Sequence, residues 1–167
     1  CKIFQMLIAR KKNKCKKILK DICFLSFLFC VFIFTRTVIQ PVTVIGQSME
    51  PTLKEYRMLL ADRTVEAEEY ERNDIVVARV DNAHLIKRII GLPGETIQIK
   101  DSHIYVNGEK IEDVYVGDDF ESRGLSEPIT LKEKEYIIMG DNRNNSYDSR
   151  DFGAVHIDDF VGKILFK

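Results

Sequence analysis

Between Ile22 and Phe34 the chain reads ICFLSFLFCVFIF, thirteen residues without a charge. No other stretch restricts the fold so strongly. Aromatic and aliphatic side chains would surround a helix built from it and leave no polar stripe, unlike the amphipathic helix of a soluble core. Extended to Gln40, the stretch admits one cation, Arg36, whose long stem can carry its charge to an interface. It then approaches the ~20 residues that span a bilayer. The first twenty residues hold Lys2, Arg10, Lys11, Lys12, Lys14, Lys16, Lys17 and Lys20 and no acid. Cations before the apolar segment and few just after it are expected to keep the N-terminus in the cytoplasm and send the rest across. A cleavable signal peptide has the same charged start, but TRTVIQPVTV offers no small-x-small cleavage site. The segment therefore reads as an uncleaved anchor. The sequence opens at Cys1 rather than Met, and residues are expected to precede it.

Three parts follow: a basic cytoplasmic head over 1–21, a transmembrane signal anchor over 22–40, and an extracytoplasmic catalytic β domain over 41–167. The net charge of −1 conceals their asymmetry, since all 26 acidic residues lie beyond Lys20. A basic head on an acidic body argues against nucleic-acid binding and for a membrane-topology signal. Cys1, Cys15, Cys23 and Cys30 all fall in the head or the apolar segment. The exported part is thus expected to rest on its own core, without disulfides, and no spacing suggests a metal site.

From Pro41 onward the chain reads as short strands: VTVIG, RMLLADR, DIVVARV, LIKRII, TIQIKD, HIYVNGEKI, YIIMGDN and FVGKILF. Asn107-Gly108 marks a hairpin turn, because both residues tolerate positive φ. VEAEEYERND reads as a short helical or irregular link, and the acidic stretch from Glu112 to Glu127 as an exposed excursion. The expected fold is mainly β, an antiparallel β-barrel or sandwich preceded by one transmembrane helix.

Three segments carry chemistry. In IGQSMEPTL, Ser48 stands on a constrained turn leaving a strand. In HLIKRIIGLPGE, Lys87 and Arg88 interrupt an apolar run, and strand alternation puts them on opposite faces, so one core face would bury one cation. GDNRNNSYDSRDFG, Gly140 to Gly153, is too dense in Asp, Asn, Ser and Arg for a simple loop tip. None of His84, His103 and His156 has the context of a Ser-His-Asp triad, and His84 points to the face opposite Lys87. The exported part has no cysteine nucleophile, which leaves Ser48 with Lys87 as nucleophile and base. A lysine in water, with a pKa near ~10.4, cannot accept a proton at neutral pH. Burial disfavours the ammonium form and can lower that pKa by up to ~5 units. Arg88 stays charged and is expected to face outward or to pair with an acid such as Asp148.

GQSMEPTL, IKRIIGLPGE and GDNRNNSYDSR, with RMLLADR and RNDIVV between the first two, resemble the type I signal peptidases, the bacterial leader peptidases, in order and wording. The lysine resembles the bacterial Ser-Lys branch, and the single anchor the compact Gram-positive form. The resemblance implies a membrane-bound serine endopeptidase that removes signal peptides from exported preproteins through an acyl-enzyme, with no cofactor. It makes Ser48 the nucleophile, with its backbone N–H in the oxyanion hole, and Lys87 the general base. Ser146 would orient the lysine amine. Asp148 and Arg150 would brace the site, with Asp141, Asn142 and Arg143 structural in the same block. Gly46 stands where some members carry a second, hydroxyl oxyanion donor, so a backbone donor or water must substitute.

Val44, Ile45, Gly46, Gln47 and Met49 would line shallow pockets for small side chains of a substrate bound as an extended strand. The implied partners are signal peptides, the lipid bilayer and a nearby secretion translocon, with no nucleic acid. Ser48 lies eight residues past Gln40, a reach of roughly 28 Å for an extended chain at ~3.5 Å per residue. That is the level at which a membrane-embedded signal peptide presents its cleavage site. Two alternatives stand beside this reading: a self-cleaving Ser-Lys protease of the LexA type, and an inactive membrane-tethered β domain.

Overall fold

The computed structural model describes residues 2–113 and 120–165. Residues 114–119 of the acidic stretch, Cys1, residues 166–167, and the side chains of residues 2–13, Cys15 and Arg36 lie outside the described residues. Helix α1 runs from Lys2 to Val38 without a glycine or proline to interrupt it. Within it, Lys16–Thr35 has a mean hydropathy of 2.2 and none of it is buried. At ~1.5 Å per residue this window is long enough, and apolar enough, to cross a bilayer. Thr35 and Thr37 hydroxyls donate back to carbonyls of the preceding turn. The helix ends where Pro41 begins to act, because the residue before a proline is pushed out of the helical region. The chain up to Val38 and the chain from Ile39 form separate compact units.

The second unit is built of antiparallel strands. They are β1 (Ile39–Thr43), β2 (Met58–Asp62), β3 (Ile75–Val80), β4 (Ala83–Gly91), β5 (Thr96–Lys100), β6 (His103–Val106), β7 (Glu109–Lys110), β8 (Ile129–Thr130), β9 (Glu135–Met139), β10 (Val155–His156) and β11 (Phe160–Ile164). A seven-stranded sheet has the order β1-β2-β11-β3-β4-β9-β10, and a four-stranded sheet β7-β6-β5-β8. Pro41, which cannot donate to a ladder, sits on the edge strand β1, where that omission is tolerated. Each stretch read from sequence as a strand contains one. The exception within a stretch is Val44–Gly46, which leaves the sheet ahead of Ser48. Asn107 at φ 53° opens the hairpin turn between β6 and β7. VEAEEYERND forms a single 3-10 turn at Ala67–Glu69.

β4 carries the most structure. It pairs with β3 over Ala83–Arg88, whereas on its other side β9 begins only at Arg88. Among the described residues, Ala83–Lys87 therefore has no strand partner on that side. Three apolar clusters pack around the sheets. Val44, Met49, Leu53, Leu59, Ala61, Ile75, Val77 and Ile164 form one. Ile89 joins Val76, Ala78, Tyr136 and Ile138 in a second. Ile90 joins the four-stranded sheet's Ile97, Ile99 and Ile104 in a third. Neighbours on β4 thus enter different cores, so its C-terminal half is buried on both faces.

The acidic stretch departs from the exposed excursion expected of it. Phe120 and Leu125 are buried in the third cluster, and Arg123–Leu125 forms a 3-10 turn. Two apolar residues among the acids are enough to draw the segment back onto the body. Leu125 is fully buried, so Leu125→Ala is expected to cost about 2–5 kcal/mol of stability. Urea denaturation of the detergent-solubilised chain reads this loss, whereas a side chain on a solvated loop would give almost none.

Candidate active site

The two cations of β4 are both buried. Lys87 is 3 % exposed and Arg88 is fully buried, so the expectation of an outward or Asp148-paired Arg88 does not hold. Arg88 instead meets Asp141 in a bidentate pair, Nε to Oδ1 at 2.7 Å and Nη2 to Oδ2 at 2.6 Å. Its Nη1 donates to the Asn73 carbonyl at 2.7 Å. A guanidinium cannot shed its charge, and burial forces it to take a carboxylate along.

Lys87 has a different neighbour. Its Nζ lies 2.7 Å from the half-buried Ser48 Oγ, in hydrogen-bond contact. Burial pushes the amine down to about 8, and the Arg150 guanidinium pushes the same way against the attraction of Asp148 and Asp141. An amine with that pKa is partly neutral near pH 7 and can take a proton from a hydroxyl.

Ser48 owes its position to the third motif. The Asn142 N–H donates to the Ser48 carbonyl at 3.0 Å, and the Asn142 side chain donates to the Gln47 carbonyl at 3.2 Å. Gly140 is pressed so closely here that a Cβ would collide with both the Ser48 carbonyl oxygen and Ser146 Oγ. The Ser48 N–H donates to none of the described residues. The Gly46 N–H is engaged by Glu55 Oε1 at 3.1 Å and so is not free for a second oxyanion.

Asp148 caps the short helix α2 (Ser149–Phe152) and holds Arg150 through Nε to Oδ1 and Nη2 to Oδ2, each 2.9 Å. Burial alone would raise the Asp148 carboxyl, but the Arg150 guanidinium and the Gly140 N–H hold it below the usual carboxylate range. The Ser146 hydroxyl lies near enough to help but not in hydrogen-bond geometry. Its Oγ is buried without a partner among the described residues, so it does not hydrogen-bond the Lys87 amine. Arg143 is buried, donates to the Gly140 carbonyl at 2.9 Å and pairs with Asp113.

The structure thus gathers Ser48, Lys87, Asp141, Asn142, Arg143, Ser146, Asp148 and Arg150 into one connected cluster. The five residues expected to line substrate pockets differ in exposure. Val44 and Met49 are core residues, Ile45 and Gln47 are exposed, and Gly46 is half-buried. Sequence reasoning missed Gly140, Glu55, Arg123 and Asp113. Only Gly140 carried a signal, as a glycine joining an apolar strand to a polar block. His84, His103 and His156 stand outside the cluster's hydrogen bonds. Among the described residues there is no grouping of His, Cys, Asp and Glu able to hold a metal ion.

A serine hydroxyl against a buried lysine amine on antiparallel sheets has the form of a serine–lysine hydrolase. Residues 16–167 match the family described as signal peptidase, peptidase S26, and the chain belongs to it. It is 39% identical over 119 residues to a signal peptidase I of Bacillus amyloliquefaciens, covering 66% of this chain and 64% of that relative. Against a signal peptidase I of Bacillus licheniformis the identity is 37% over 156 residues, covering 85% and 81%. A crystal structure of a signal peptidase I from Enterococcus faecalis V583 superposes with a TM-score of 0.50 at 29% identity, covering 58% of this chain and 97% of that one.

Removing one partner of the Arg88–Asp141 pair strands a buried charge. Arg88→Met is expected to cost about 3–5 kcal/mol, and adding Asp141→Leu to recover much of it. Urea denaturation of the two single variants and the double variant measures that coupling.

Proposed function

We propose that the chain is a membrane-bound serine endopeptidase that removes N-terminal signal peptides from exported preproteins. The observation that carries the mechanism is the 2.7 Å contact between the Lys87 amine and the Ser48 hydroxyl, made where the lysine is almost wholly buried. Ser48 Oγ attacks the carbonyl before the cut while neutral Lys87 accepts the hydroxyl proton. The protonated lysine then returns the proton to the departing amine of the mature protein. Water, deprotonated by the same amine, releases the signal peptide from the acyl-enzyme. The unengaged Ser48 N–H serves the oxyanion, and Asp148 and Arg150 brace the polar block beside the lysine.

The substrate enters as an extended strand. The edge of β4 at Ala83–Lys87 supports this, since on the side away from β3 it has no strand partner among the described residues and leads directly to Lys87. The three-part division of the chain, with the basic head cytoplasmic and the catalytic domain outside, belongs to this reading. So do the bilayer and a neighbouring translocon as surroundings. A twenty-residue apolar helix window supports the anchor, and the short link from Val38 to Ser48 supports cleavage close to the membrane.

With a preprotein in detergent–lipid micelles, Ser48→Ala and Lys87→Met are expected to abolish cleavage while leaving the fold intact. Full activity in either variant contradicts the dyad. The pH profile follows from the amine near 8, which is neutral above that value and protonated below it. Thus kcat/KM is expected to fall about tenfold per unit as pH drops below that point.

A further inference from the structure

We propose that Arg123, on the turn that returns from the acidic excursion, is a positioning residue that fixes the Ser146–Asp151 segment and, through it, the charged groups around the Lys87 amine. The proposal rests on the Ser48–Lys87 reading and adds a part to it. Ser146 Oγ has no hydrogen bond of its own, although it is buried against Gly140 and close to the Ser48 carbonyl. A hydroxyl without a partner is placed by its main chain. That main chain is gripped by Arg123, whose Nη1 donates to the Ser146 carbonyl at 2.9 Å. The same nitrogen donates to Asp151 Oδ2 at 2.6 Å, and that oxygen also accepts the Asp148 N–H. One guanidinium therefore fastens both ends of the Ser146–Asp151 segment.

The turn bearing Arg123 is itself held in place. Arg123 has φ 46°, a left-handed conformation that a branched-free but non-glycine residue adopts only when its surroundings impose it. Next to it, a Cβ on Gly124 would lie 2.9 Å from the Arg150 carbonyl oxygen, so the turn presses on α2. Arg150 Nη1 donates to the Glu121 carbonyl at 3.2 Å, and the Phe120 ring sits 5.4 Å from the Arg143 guanidinium and 5.5 Å from that of Arg150. Leu125 anchors the turn in the core of the smaller sheet. The excursion thus reaches the catalytic block by hydrogen bond, ion pair and ring contact.

The charged groups around Lys87 are Asp141, Asp148, Arg150 and Asp151, with Arg88 beside it on β4. Arg123 acts on two members of that set, Asp151 directly and Asp148 through the shared carboxylate. Loosening the segment would open the polar block beside the dyad to water, and a solvated amine returns to its ammonium form.

The test uses the full chain with a preprotein substrate and compares Arg123→Met, which keeps the aliphatic stem, with Arg123→Lys, which restores a cation and donors. Arg123→Met is expected to lower kcat about tenfold with KM changed less than twofold, and to move the acid limb of kcat/KM to higher pH. Arg123→Lys is expected to recover most of both. Wild-type kinetics in Arg123→Met overturn the proposal. A loss of activity with an unmoved acid limb also overturns it, because that is the mark of a merely structural residue. Loss of folding in Arg123→Met leaves the test to Arg123→Lys, for which an unmoved acid limb together with a tenfold loss counts against it. Ser48→Ala, run alongside, separates the two claims. If it stays active the dyad reading fails, and if it is dead while Arg123→Met is normal only the present inference fails.

Discussion

Lys87 Nζ lies within hydrogen-bonding distance of Ser48 Oγ and has almost no contact with solvent. A primary amine in that position is uncharged near neutrality only because water is excluded from it. The rest of the body serves that exclusion. β4 is walled by β3 on one side, and its residues enter three different apolar clusters, so no face of its C-terminal half is left to solvent. The polar block after β9 supplies the hydrogen bonds that place Ser48.

Arg88, one residue on, shows what the same burial does to a cation that cannot become neutral. It takes Asp141 and the Asn73 carbonyl with it and is fully paired. Arg150 and Arg143 follow that rule with Asp148 and Asp113. The site is thus ringed by compensated guanidiniums, while its one buried lysine is paired with a hydroxyl rather than a carboxylate. The contrast is electrostatic: a carboxylate in contact with Lys87 would stabilise the ammonium and remove the base.

Much of this was legible in the sequence. The apolar segment after a lysine-rich head predicted the long helix, and β-branched runs between turn residues predicted the strands. Lysine in an apolar strand, with no suitable histidine or cysteine, pointed to Ser48 and Lys87. The alternation argument failed at Arg88 because it assumed a sheet with one core face, whereas β4 lies between cores contributed by both sheets. That arrangement depends on residues far apart in the chain, such as Ile90 clustering with Phe120 and Leu125, which period-two reading does not see. The acidic excursion misled for a related reason. Its charge dominated its composition, but Phe120 and Leu125 decided its place, and Arg123 reaches Ser146 across 23 positions. Gln47 and Met49 also flank Ser48 symmetrically in sequence, yet Met49 is in the core because the turn sends it inward.

The account stands on the protonation state of one amine, and that can be measured without turnover. Selective 13C labelling of lysine, with Lys87 assigned by comparison with Lys87→Met, allows its titration to be followed by NMR in the micelle-bound chain. A midpoint near 8 is the predicted result. A midpoint at the ordinary lysine value of ~10.4 would mean that Lys87 is an ammonium at working pH, and would contradict its role as the base.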